Sequence, residues 1–337
     1  MKGKHASGKA ALLIATAVLL SLAGCGLPDG QVAASGPEIG SARATTLLSR
    51  EHHEFYDSND SLFVTFWERY FGRGLVVMGI AKKSYFTIIE YGDVKLLPGE
   101  DDNPCFVGGK GVKPCWGEKI SWTTSGKPDA SYFGVYGWLW TPLIEYYIGK
   151  NKGTEVGSYT TSKGTYTLHV KHLDQENIKY PDGHSPFDQY NCDGPATSPI
   201  NMAEHFAAWE NLMGIKIQSP SYCVVSTEVW GFRGGDSAVT NITVDKNSLI
   251  AYPSQAFFTR SASSRTIKIS CTKYWKLVSG TKPSWVTLST DVGSQLVTDV
   301  VVRVARNRTG SARTANVKFC LTNSSSTVAT LTIYQSP

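Results

Sequence analysis

The sequence predicts an all-β protein: a twisted β-jelly-roll sandwich with one helix, followed by a second, smaller β-sandwich. Three observations carry this. Short alternating runs recur, such as Leu62–Trp67 (LFVTFW) and Tyr166–Val170 (YTLHV), with Gly, Asn and Asp between them. That is the pattern of antiparallel strands half-buried on one face. A single stretch, Met202–Met213, has helical spacing, with Phe206, Trp209 and Met213 recurring and Asn201 placed to cap it. The chain then changes character near Asp245 into a new set of alternating strands.

Taken in order, the chain opens on a targeting segment. Lys2, Lys4 and Lys9 form a basic region, and Ala10–Leu20 an apolar run too short to span a bilayer. It ends in Leu22-Ala23-Gly24-Cys25, which resembles the bacterial lipoprotein cleavage box. The expectation is a signal over residues 1–24, lipidation of Cys25 and a flexible linker to residue 51, rich in Gly, Ala and Ser. The protein would then be an exported outer-membrane lipoprotein, on the cell surface or the periplasmic face, touching the membrane through its lipid alone. An ordinary secretory peptide with a chance cysteine is the other reading.

Cleavage removes those three lysines and no acid, so the formal charge drops from +5 to +2. No basic patch points to nucleic acid. The 9 Trp and 16 Tyr suit a neutral polysaccharide, whose sugars stack on aromatic faces, although a β-rich core also uses them. No cysteine spacing suggests a metal site and the seven histidines are scattered, so neither metal nor organic cofactor is expected. No surface suggests oligomerisation, and a monomer is expected.

Setting Cys25 aside leaves six cysteines, an even number in an exported chain. The expected pairs are Cys105 with Cys115, closing the Gly-rich turn, and Cys271 with Cys320, leaving Cys192 with Cys223. Free buried thiols are the alternative.

About 310 residues remain after cleavage, comfortable for two domains. We place them at 52–244 and 245–337. The first contains two glutamates in strand-forming runs rich in aromatic and aliphatic residues. Glu145 lies within Tyr132–Ile148 (YFGVYGWLWTPLIEYYI) and Glu228 within Tyr222–Phe232 (YCVVSTEVWGF). A charge in such a run is costly unless it is paired or used.

Five segments in order resemble glycoside hydrolase family 11, the β-jelly-roll xylanases. They are Phe106–Gly111 (FVGGKG), the Glu145 segment, Phe187–Tyr190 (FDQY), His205–Trp209 (HFAAW), and Thr227-Glu228 with Gly235–Ala238 (GDSA) and Ile242–Val244 (ITV). The resemblance implies a retaining endo-1,4-β-xylanase acting on xylan or xylo-oligosaccharides. Glu145 would be the nucleophile and Glu228 the acid/base, their carboxyl groups roughly 5–5.5 Å apart. Taken alone, Glu145 also reads as a structural carboxylate held by tyrosines. By the same resemblance Trp67 stacks on a sugar, or else is core; Tyr136 and Tyr147 flank the nucleophile, and Gln189 hydrogen-bonds in the cleft. Trp230 neighbours the acid/base. Glu90 falls where the family carries a small Asn or Asp that tunes it, although an exposed Glu fits equally.

The thumb hairpin departs from the family: its tip falls on Lys179-Tyr180-Pro181, its arginine position on Gln175, and Asn191 stands where a tryptophan usually follows Gln-Tyr. Those changes leave open an endo-β-glucanase on the same fold, or a glycan-binding surface protein without turnover. The last segment resembles the immunoglobulin-like BACON module, a glycan binder or a spacer.

Overall fold

The computed structural model describes residues 31–32, 38–39, 42–43, 46–48, 52–69, 75–90, 105–124, 132–174, 186–230 and 237–337. The targeting segment, Cys25, Gln175, Lys179, Tyr180 and Pro181 lie outside them, as do the side chains of Glu90, Cys105 and Trp230. The fold class expected from the sequence is the one observed. Strands dominate, and Met202–Met213 is the one helix among the described residues.

The chain divides into two compact units. The first holds residues up to Val112, Trp122–Val135 and Val224–Thr243. Here His53–Tyr56, Phe63–Arg69 and Cys105–Val112 pair antiparallel, with Trp67 opposite Val107. Leu75–Ala81 and Ser84–Glu90 form a hairpin to which Ser237–Val239 adds. The buried Lys110 fixes this unit's first turn. Its ammonium lies 2.6 Å from Asp57 Oδ2 and 2.7 Å from Asp60 Oδ2, and donates to Ala81 O at 2.8 Å. An ammonium has three protons, and all three are used. Burial pushes the Asp57 carboxyl up, but hydrogen bonds from Lys110 and Asn59 outweigh that and hold it below its usual range.

The second unit holds Lys113–Ser121, Tyr136–Cys223 and Val244–Pro337. Thr154–Thr161, Gly164–Leu173 and Phe187–Asp193 pair antiparallel, and Phe187–Asp193 then pairs parallel with Ile144–Ile148. The helix starts as expected: Asn201 Oδ1 accepts from Ala203 N at 3.2 Å, and Gly214 closes it at φ 64°. Its buried face carries His205, Phe206 and Trp209, with the Trp209 ring 5.3 Å from Tyr146 and 5.6 Å from Tyr190. Met213, expected on that face, is only partly buried.

Beneath the helix Trp209, Tyr159 and His205 form a buried hydrogen-bonded chain. The Trp209 indole can only donate, and does so to the Tyr159 phenol at 3.3 Å. The Tyr159 hydroxyl also lies 2.7 Å from His205 Nδ1. Burial pulls the His205 pKa down from 6.5 to about 3, so the imidazole is neutral.

The C-terminal segment is a two-sheet sandwich. One sheet has the order Leu249–Tyr252, Ser263–Cys271, Leu296–Val304, Val286–Leu288; the other has five strands, including the long Arg313–Leu321 and Ser324–Gln335 pair. Its own core centres on Trp275, edge-on to Phe319 at 5.3 Å. The sandwich does not hang free of the helix. Glu210, fully buried on the helix, accepts from Lys216 at 2.9 Å, from Ile217 N at 3.0 Å and from Lys268 of the sandwich at 3.2 Å. Asp299 of the sandwich holds the same two lysines at 2.6 and 2.8 Å. Ser248 Oγ donates to the capping Asn201 at 2.8 Å.

The expected disulfides are not formed. Cys115, Cys192, Cys223, Cys271 and Cys320 are free and buried. Cys271 lies in the four-stranded sheet of the sandwich and Cys320 in the five-stranded one, and the Cys271 thiol donates to Lys273 O at 2.7 Å. Cys192 sits against Tyr159 and Trp209, away from its expected partner. Cys115 lies beside Cys223.

Two outcomes are expected. His205 is protonated in the unfolded chain below pH about 6.5 but resists protonation when folded down to about 3. The unfolded state binds the extra proton in that window, so stability falls with pH by up to about 1.4 kcal/mol per unit. Glu118, pushed up by burial, acts in the opposite sense above its usual range. Urea titrations at pH 7 and 5 should show the loss, and His205→Leu should flatten it. Glu210→Ala leaves buried lysine charge short of a partner and should cost about 3 kcal/mol in urea denaturation; an unchanged midpoint would show the cluster to be idle.

Candidate active site

Glu145 is the second residue of the strand Ile144–Ile148. Successive side chains on a strand point to opposite faces. Glu145 and Tyr147 thus share one face, while Tyr146 on the other donates to Tyr222 O at 2.8 Å and packs on the helix. That packing requires Gly137: a Cβ there would stand 2.0 Å from Tyr222 O and 2.4 Å from the Tyr146 hydroxyl.

Three donors converge on the Glu145 carboxylate. The hydroxyls of Tyr136 and Tyr147 each donate to Oε1 at 3.0 Å, and Gln189 Nε2 donates to Oε2 at 2.8 Å. The direction of each proton is determined. Trp138 Nε1 donates to the Tyr136 oxygen at 2.7 Å; an indole cannot accept, so the Tyr136 proton goes to Glu145. Asn191 Nδ2 donates to Gln189 Oε1 at 3.2 Å, which turns the Gln189 amine toward Glu145. The parallel register makes this possible by setting Glu145 opposite Gln189 and Tyr147 opposite Asn191. A carboxylate that accepts from every side is stabilised as the anion. Lys150 adds positive charge 3.4 Å from the centroid of the Tyr147 ring. Glu145 is 8% exposed, so a narrow face of it meets solvent.

In the first unit, Glu228 lies near the end of the strand Ser219–Trp230 and is fully buried. Its neighbour Thr227 points to the opposite face by strand alternation. There Thr227 Oγ1 lies 2.6 Å from Ser237 Oγ, which lies 2.8 Å from Thr87 Oγ1. This hydroxyl ladder fixes the rotation of the strand and hence the direction of Glu228. Trp67 is half-buried on Phe63–Arg69.

The structure thus gathers Glu145, Tyr136, Tyr147 and Gln189 in one cluster, and places Glu228 and Trp67 in the other unit. Trp138 and Asn191 belong to the cluster as residues that orient its donors; sequence reading passed over Trp138 and marked Asn191 only as a departure from the resembled pattern. For Trp138 the signal was present, since it lies two residues from Tyr136 on the same strand face. Among the described residues no group of three or more His, Cys, Asp or Glu could hold a metal ion.

Residues 100–240 match the family model described as Glycosyl hydrolases family 11, and residues 273–336 the model described as BACON, a putative binding domain. Endo-1,4-beta-xylanase 4 of Pyricularia oryzae is 34% identical over 148 residues, covering 41% of this chain and 63% of that protein. Endo-1,4-beta-xylanase 11A of Botryotinia fuckeliana is 37% identical over 153 residues, covering 41% and 64%. The chain therefore spans just under two thirds of the length of these curated fungal relatives. A solved chain from a comparison of two endo-1,4-beta-xylanases of Trichoderma reesei is 22% identical, with a TM-score of 0.42, covering 53% of this chain and 96% of that one.

Proposed function

We propose that the protein is a retaining endo-1,4-β-xylanase, with Glu145 as nucleophile and Glu228 as acid/base. The observation that carries the reading is the three-donor clamp on Glu145 inside the segment that matches the glycosidase family. Nucleophilic attack on an anomeric carbon needs an ionised, rigidly aimed carboxylate. The phenols and the Gln189 amide supply both conditions. As charge leaves Glu145 in forming the glycosyl ester, Tyr136 and Tyr147 remain poised to stabilise it when the intermediate breaks down. Glu228 protonates the departing oxygen and then activates water. Trp67 offers a flat face to a pyranose. Neither metal nor organic cofactor takes part in this scheme.

The complete burial of Glu228 favours a second reading, in which the fold binds xylan without cutting it. We also read residues 1–24 as an export signal and Cys25 as the lipidated residue, with residues 52–244 and 245–337 as separate domains, the second a binding module. In that reading Glu90, Trp230, Tyr180 and Pro181 line or tune the cleft.

Reducing-sugar release from purified xylan, with mass analysis of the products, tests the activity. Glu145→Ala should lower kcat by at least about 10⁴-fold, and Glu228→Gln by about 10²–10⁴-fold. Tyr136→Phe removes one hydrogen bond to the charge and should cost about 10–100-fold. Equal product from wild type and both glutamate variants would refute catalysis; bound but uncut xylan with wild type would establish the binding reading. For the anchor, Cys25→Ala should move the protein from the membrane fraction to the soluble one, and an unchanged distribution would reject lipidation.

A further inference from the structure

We propose that Cys115 and Cys223 are partners in a disulfide bond that forms when the chain folds under oxidising conditions. The backbone brings them together. Cys115 N donates to Ser221 O at 2.9 Å, which lays the turn ahead of Lys119–Thr124 alongside the strand that carries Cys223. Both thiols are fully buried, and the two side chains lie within hydrogen-bond reach of each other. The Tyr146 phenol, which donates to Tyr222 O, lies close to both sulfurs and closes that side of the pair. The other described cysteines have different neighbours: Cys192 faces Tyr159 and Trp209, and Cys271 donates to backbone carbonyls of the C-terminal sandwich.

The chemistry balances with a disulfide as oxidant, either glutathione disulfide or that of a thiol oxidoreductase. One cysteine thiolate attacks the oxidant to give a mixed disulfide. The second displaces the oxidant's remaining sulfur. The pair loses two protons and two electrons, one S–S bond forms, and the oxidant leaves as two thiols. Burial, then the neighbouring Cys223, push the Cys115 thiol well above its ordinary range. The closed protein therefore holds little thiolate at this site, and the bond forms before the strands shut over it. Once made, it is sealed from reductants by the same burial.

The bridge would span the stretch of chain that contains Tyr136, Glu145, Gln189 and the helix. In the chain-entropy account, a cross-link around so long a loop constrains the unfolded state strongly. It also pins the Tyr222 carbonyl against which Tyr146 and Gly137 are fitted. Formation in the cell rests on the export reading proposed above; the pairing itself rests on the geometry.

The test refolds the full chain in a glutathione redox buffer, blocks remaining thiols with iodoacetamide, digests without reduction and maps the peptides by mass. The expected result is the Cys115 peptide linked to the Cys223 peptide, with Cys192, Cys271 and Cys320 alkylated. Reduction should lower the thermal midpoint by several degrees in the wild type and leave it unmoved in the Cys115→Ala/Cys223→Ala variant. Alkylation of both residues, or a link between Cys105 and Cys115, would overturn the proposal. The same map on protein expressed with its leader separates the two premises: a link in the refolded chain with free thiols in the cellular protein supports the pairing and counts against export.

Discussion

The carboxylate of Glu145 is the constraint around which this part of the chain is arranged. An anion in a strand of Ile and Tyr is tolerable only when the energy lost on leaving water is returned by donors. Three donors do this, and each is itself oriented by a further group: Trp138 behind Tyr136, Asn191 behind Gln189, and the Lys150 ammonium over the Tyr147 ring. Such a network depends on register. A one-residue slip between Ile144–Ile148 and Phe187–Asp193 would turn Gln189 to the far face and leave the carboxylate one donor short. The parallel pairing of these strands therefore determines whether Glu145 is a usable anion.

The same five-residue strand has a second face, and the helix is built on it. Tyr146 points away from the carboxylate toward Trp209 and Phe206. Beneath the helix an arrangement like that around Glu145 recurs: a tryptophan donates to a tyrosine oxygen that meets a titratable group. Trp138 and Tyr136 lead to a carboxylate, which can only accept; Trp209 and Tyr159 lead to a buried imidazole. Glu210 on the same helix meets Lys216 and Lys268, so one helix contacts both the Glu145 strand and the sandwich.

The parts of this arrangement that were legible in the sequence are the local ones. Alternation gave the all-β class, Asn201 gave the start of the helix, and the aromatic run around Glu145 marked it as a charge needing partners. Gln189 joined that group only through its resemblance to a family motif, because 44 residues separate it from Glu145. The cysteine pairing was not legible. Which thiols meet is decided by which strands lie side by side, and spacing along the chain carries no information about that; Cys105 and Cys115 are close in sequence, yet Cys115 turns to Cys223. Glu210 was equally opaque. On a helix it reads as an ordinary solvated charge, and only contacts distant in sequence, Lys268 among them, reveal it as a buried one.

Asn191 shows what a buried amide costs and what it contributes. It is fully buried, and its Oδ1 finds no protein partner. An unsatisfied buried acceptor costs about 1–3 kcal/mol. What offsets that cost is the hydrogen bond from Nδ2 to Gln189, which fixes the Gln189 amide in the one orientation that offers Glu145 a donor. The flipped amide would set an oxygen against the carboxylate and repel it. Asn191 thus contributes through the direction of a dipole two groups away rather than through packing. Asn191 is therefore the residue that completes the donor set around the Glu145 oxygen atoms.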